Sequence, residues 1–140
     1  MPKISHAGVL PYRITGGEAK YLLITTRRSG RWIIPKGRRE GGRDARETAV
    51  IEGYEEAGLK GEIGRRPLGA FRDRASNGQN TMVLVYPFRV LRQARTWPEK
   101  MQREARWFDA EEAIAHVHDE LGALIKAMNS RLRKAGKKAS

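Results

Sequence analysis

The chain has 140 residues, no cysteine, and 28 Lys and Arg against 16 Asp and Glu, for a formal charge of +12. That length fits one domain with a sizeable core, and no apolar run approaches the roughly 20 residues that a membrane span needs. Without cysteine there is no disulfide scaffold, thiolate metal site or cysteine nucleophile. The first residues lack the basic-then-apolar pattern of a secretory signal, so the expected compartment is the cytoplasm.

Ser5 to Ile14 and Ala19 to Thr26 are apolar, β-compatible runs, and Gly16-Gly17 between them signals a hairpin. Trp32-Ile33-Ile34 is a short apolar run stopped by Pro35, after which Gly37, Gly41 and Gly42 make a loop. Asp44 and Glu47 form a D-x-x-E capping box that opens a helix, and Gly58 after Ala57 ends it. Ile63 to Arg72 and Thr81 to Leu91 read as two strands, joined by a turn over Arg72 to Asn80 that contains Asn77-Gly78. Arg106-Trp107-Phe108 reads as a short strand. Asp109 and Glu112 open a second helix, in which Ile114, Val117, Leu121, Leu124, Ile125, Met128 and Leu132 recur at helical spacing. Strands interleaved with two helices indicate one α/β or α+β domain over residues 1–133 with a mixed sheet. A basic, disordered tail over residues 134–140 is expected to follow.

Two clusters carry the whole charge excess. From Thr25 to Arg46, eight basic residues (Arg27, Arg28, Arg31, Lys36, Arg38, Arg39, Arg43, Arg46) face only Glu40 and Asp44. From Lys126 to Ser140 there are six basic residues and no acid. The tail reads as a solvated end, whereas the first cluster, set among glycines ahead of acidic residues, reads as an anion site.

The acidic residues are the informative ones. With Glu52 at zero on a helical wheel, Glu56 falls at roughly 40° and Glu55 at roughly −60°, so three carboxylates share one face. Val50, Tyr54 and Ala57 fall opposite, at roughly 140° to 200°, and are the expected buried face. Adjacent like charges repel, and a hard divalent cation with oxygen ligands relieves that repulsion. Mg²⁺ suits the pattern, because it takes a few carboxylates together with substrate phosphate oxygens. A solvated acidic face is the plain alternative. His6, His116 and His118 show no metal-ligand spacing, and the last two read as structural.

The segment GRREGGRDARETAVIEGYEEAGL, residues 37–59, resembles a Nudix box, G-x5-E-x7-R-E-U-x-E-E-x-G-U with U a bulky aliphatic residue. Gly37, Glu52, Glu55, Glu56, Gly58 and Leu59 fall in register. The lead-in Trp32 to Gly37, together with Leu68-Gly69-Ala70-Phe71 and the run from Arg106 to Ala113, resembles the branch containing diphosphoinositol polyphosphate and diadenosine polyphosphate hydrolases. The box departs at three places: Arg43 replaces the first Glu, Ile51 the Arg, and Gly53 the aliphatic residue.

The resemblance implies an α/β/α sandwich with a central mixed sheet, and Mg²⁺- or Mn²⁺-dependent hydrolysis of a phosphoanhydride in a nucleoside or inositol polyphosphate. It implies Glu52, Glu55 and Glu56 as catalytic residues, and the same three with the Gly37 carbonyl as metal ligands. It also implies that the missing box Arg would have oriented the carboxylates. Among the basic residues, Arg31, Lys36 and Arg38 are the expected substrate contacts, since Arg suits bidentate phosphate binding. Glu104, and behind it Glu99, are candidates for the general base by their position before Trp107. The expected partner is a small anionic polyphosphate bound by a monomer or homodimer, with no membrane and with nucleic acid not favoured. Two other readings stand beside it: a catalytically weak polyanion- or RNA-binding module, and an RNA 5′-pyrophosphohydrolase. Few stacking aromatics, 7% of the chain, weigh against the first of these.

Overall fold

A computed structural model describes residues 4–74 and 78–139, without the side chains of residues 137–139. The Asn77 side of the Asn77-Gly78 turn lies outside the described residues. The elements are β1 (Ile4–Thr15), β2 (Glu18–Thr25), β3 (Trp32–Ile33), β4 (Lys36–Arg38), α1 (Ala45–Ala57), β5 (Leu59–Ile63), β6 (Gly69–Arg74), β7 (Asn80–Gln93), β8 (Ala105–Asp109), α2 (Ala110–His116) and α3 (Asp119–Ala139).

The strands form the expected mixed sheet. β1 is its centre: it runs parallel to β7, pairs antiparallel with β2 through Tyr12 to Thr15, and pairs antiparallel with β4 through His6 to Gly8. β8 lies antiparallel on β2, and β5 and β6 pair with the two ends of β7. The β1–β2 turn falls where expected, with Gly16 and Gly17 both at positive φ. Inward side chains of the central strands, among them Val9, Leu10, Leu22, Ile24, Val83 and Val85, are almost wholly buried.

Three expectations need correction. Ile63 to Arg72 is not one strand: β5 ends at Ile63 and β6 begins at Gly69. The residues between include Pro67, which has no N–H for a ladder, and Gly64 turns its amide to the Pro87 carbonyl at 2.8 Å. The C-terminal helix is two helices, because Val117 takes an extended backbone after α2 and α3 starts afresh at Asp119. The last helix then runs through Ala139.

The third correction concerns α1. Val50 and Tyr54 are 39% and 38% exposed, while Thr48, Ala49, Gly53, Glu56 and Ala57 are buried. On the wheel the buried arc therefore runs from roughly −40° to 140°, across the carboxylate stripe itself. The reason is size. Ala49, Gly53 and Ala57 let the helix axis approach β1, and a Cβ on Gly53 would sit 3.3 Å from the Val9 side chain. Bulky Val50 and Tyr54 would hold the helix away. Close packing thus turns Glu52 and Glu56 inward, toward β4.

Candidate active site

α1 is fixed at both ends by local chemistry. The Asp44 side chain accepts from the Glu47 amide at 2.7 Å, and Gly58 takes the left-handed conformation, with φ 69°, that ends the helix. Glu56 Oε1 accepts from the Lys36 amide of β4 at 3.2 Å, and Glu56 Oε2 lies 3.8 Å from the Arg103 guanidinium. Glu52 presses its carboxylate against Gly37: a Cβ there would stand 2.2 Å from Glu52 Oε1. Only glycine leaves room for that carboxylate. Glu52 Oε2 is buried and has no hydrogen-bond partner.

Crowding of acids shows in their proton affinity. Burial, then Glu52 and Glu99, raise Glu56 to about 8 against the opposing pull of Arg103 and the Lys36 amide. Burial, then Glu55 and Glu99, raise Glu52 to about 7. Among the described residues no three His, Asp or Glu side chains stand close enough together to hold a metal ion as they are. The pieces nevertheless fit a hard cation. The donors are all oxygen, one carboxylate oxygen is buried without a partner, a glycine leaves a cradle beside it, and Glu55 on the same helix is partly exposed.

Beside the carboxylates lies an open cleft of about 820 Å³, lined by Thr26, Arg27, Arg28, Ser29, Arg31, Lys36, Asp73, Arg74 and Arg103. Buried Asp73 anchors it, with Lys36 Nζ at 2.8 Å and Arg31 at 3.2 Å. Burial pushes the Asp73 carboxyl up, but the hydrogen bonds and charges of Lys36 and Arg31 outweigh this and hold it below its ordinary range. Near the same cations, burial and then Lys36 and Arg38 lower His6, and Asp73 opposes them.

The structure sorts the first basic cluster. Arg27, Arg28, Arg31 and Lys36 line the cleft. Arg38 does not: it is exposed on β4 opposite His6. Arg46 is structural, donating to the Gly64 and Ile63 carbonyls at 3.1 Å each. Glu104 is exposed, and its backbone is fixed to Thr25 by bonds of 2.9 and 3.0 Å. Glu99 comes closer to α1, its amide donating to the Glu55 carbonyl at 3.0 Å. His118 packs on Phe71, and His116 packs on Trp32 and Phe108.

Sequence reasoning missed Asp73, Arg74 and Arg103. Asp73 and Arg74 reach the cleft only because β6 pairs with β7. For Arg103 the one local signal is the i, i+4 spacing from Glu99.

A NUDIX domain profile matches residues 4–128. The chain is 33% identical over 114 residues to Nudix hydrolase 21, chloroplastic, of Arabidopsis thaliana, covering 76% of this chain and 56% of that protein. It is 34% identical over 110 residues to diphosphoinositol polyphosphate phosphohydrolase 3-beta of Homo sapiens, covering 77% of this chain and 65% of that protein. It thus spans less than two thirds of either relative. Its fold is like that of a C. elegans Ap4A hydrolase in a binary complex, with a TM-score of 0.81 and 23% identity, covering 93% of this chain and 98% of the other. Taken with a carboxylate-bearing α1 set against Gly37, the match across residues 4–128 establishes that this chain belongs to the Nudix family.

Proposed function

We propose that the domain is a divalent-cation-dependent phosphohydrolase, cleaving a phosphoanhydride in a small, highly phosphorylated substrate such as an inositol pyrophosphate or dinucleoside polyphosphate. One observation carries the reading. Lys36 donates its amide to Glu56 and its ammonium to Asp73, so a single residue joins the carboxylates to the basic cleft. The dense cationic lining favours several phosphates over the two of a nucleotide sugar. The chain's similarity to a diphosphoinositol polyphosphate phosphohydrolase supports the same substrate class.

In this reading Glu52, Glu55 and Glu56, with the Gly37 carbonyl, hold Mg²⁺ or Mn²⁺. When bound, the cation supplies positive charge against phosphate oxygens and acidifies water. Arg27, Arg28, Arg31 and Arg74 orient the polyphosphate and offset charge as it builds on the leaving oxygen. Asp73 keeps Lys36 and Arg31 extended into the cleft. Two carboxylates stand as proton acceptors for the attacking water: Glu52 through its unpartnered Oε2, and Glu104 from the segment before β8. The cysteine-free chain is compatible with a cytoplasmic setting.

The test is a substrate panel with Mg²⁺: diadenosine polyphosphates, inositol pyrophosphates, nucleotide sugars and triphosphate-ended RNA, with products read by chromatography. Turnover of one of the first two classes is expected, abolished in Glu56→Gln and Glu52→Gln; turnover retained in Glu104→Gln would leave the proton to Glu52, and its loss would assign the proton to Glu104. No turnover of any compound, together with salt-sensitive RNA binding, would overturn the reading in favour of a binding module. No helix among the described residues is long and apolar enough to cross a membrane.

A further inference from the structure

The two inward carboxylates of α1 need a fixed cation, and α1 does not provide one on that side. Its Arg46 is spent on the Gly64 and Ile63 carbonyls, and Ile51 lies in a groove with Val50, Glu47, Arg46 and Asp44. The cation comes instead from the segment before β8. We propose that Arg103 is the positioning residue of this active site, clamping Glu56 and the Glu99-bearing segment together and pinning both to β2.

Its contacts define the clamp. Arg103 Nε and Nη2 donate to Glu99 Oε1 at 3.1 and 2.7 Å, Nη1 donates to the Thr25 carbonyl at 3.2 Å, and Nη2 stands 3.8 Å from Glu56 Oε2. The side chains of Arg103, Glu56 and Glu99 are only 10%, 8% and 19% exposed, so the three groups meet in a poorly solvated space, where the Arg103–Glu99 ion pair acts strongly and holds the guanidinium beside the Glu56 carboxyl. The planar guanidinium reaches three partners in fixed directions, which an ammonium cannot do. The segment has further ties: the Glu99 amide donates to the Glu55 carbonyl, Arg27 donates to Gln102 at 2.9 Å, and Trp97 packs over Gly58. Arg103 also lines the cleft, so a direct phosphate contact is the rival role. Nε, Nη1 and Nη2 each already donate to a protein oxygen, which favours positioning.

The inference rests on the hydrolase reading, and two readouts keep the two separable. Arg103→Met keeps the apolar stem and removes the charge; Arg103→Lys keeps the charge and loses the fork. On whichever substrate the wild type turns over, Arg103→Met should lower kcat at least tenfold with KM changed less than threefold, and Arg103→Lys should recover part of kcat. In the metal-free proteins, backbone hydrogen exchange across residues 95–104 should quicken at least tenfold in Arg103→Met, with β1 and β7 unchanged. A rise in KM with kcat intact would assign Arg103 to the substrate and overturn the proposal, as would unchanged exchange in that segment. If the wild type turns over nothing, the hydrolase reading fails by itself and the exchange measurement still decides the clamp. Should Arg103→Met not fold, Arg103→Lys carries the same comparison, with intermediate losses expected.

Discussion

Replacing Glu56 by Gln should make the metal-free protein more stable at neutral pH while destroying its activity. Glu56 is 8% exposed, and its surroundings raise it from 4.5 to about 8. The sign follows from linkage. Below pH 4.5 the carboxyl is protonated in both folded and unfolded chains and contributes nothing. Between 4.5 and about 8 the unfolded chain ionises while the folded one keeps its proton, so wild-type stability falls with rising pH by about 1.4 kcal/mol per unit. From 4.5 to pH 7 that is a ceiling of about 3 kcal/mol. Gln keeps the acceptor for the Lys36 amide but turns an NH₂ toward Arg103, so a net gain of about 2 kcal/mol is expected at pH 7. At pH 5 it should shrink below about 1 kcal/mol. The assay is urea unfolding in EDTA at pH 5, 7 and 8.5 for both proteins. Adding Mg²⁺ should then raise the wild-type midpoint and leave the variant's almost unchanged, because a ligand stabilises only the state that binds it. Parallel pH curves for the two proteins, or a variant less stable than wild type at pH 7, would refute the reasoning.

Gly37→Ala should cost at most about 1 kcal/mol in unfolding, because the Glu52 carboxylate it strikes is the end of a flexible side chain, yet turnover should fall at least tenfold as that carboxylate is displaced; thermal melts beside turnover check the split, and unchanged turnover would rule out the cradle. Gly58→Ala should cost about 2 kcal/mol or more by urea unfolding, since it combines a left-handed φ with a Cβ only 2.3 Å from the Trp97 ring. Asp73→Asn should lose about 1 kcal/mol at pH 7, a modest figure because Arg31 is 42% exposed. Since Asp73 is held below its ordinary 3.8, that loss should be complete above 3.8 and fade as the pH falls below it, and acid titration of the unfolding midpoint would reveal any other trend.

Local signals carried most of the element map. Asp44 and Gly58 mark the ends of α1 because capping and the left-handed C-terminus are satisfied within a few residues. Gly16-Gly17 marks the first hairpin for the same reason. The spacing of Glu52, Glu55 and Glu56 after Gly37 was legible as a box, down to which glycine stands against the carboxylates. What the sequence by itself determined, then, was the family pattern, the mixed sheet and the carboxylate stripe. Which face of α1 turned inward was not legible, because a wheel that ranks residues by hydrophobicity ignores how closely Ala49, Gly53 and Ala57 let a helix approach β1. The cleft was only half legible: Arg27, Arg28, Arg31 and Lys36 lie together in the chain, but Asp73, Arg74 and Arg103 join them through strand pairing and a folded-back segment. Arg103 meets Glu56 only after β2, α1 and the segment before β8 have packed together. Tertiary structure alone decided that contact, since a long-range ion pair depends on where distant backbones come to rest and leaves no period or spacing along the chain.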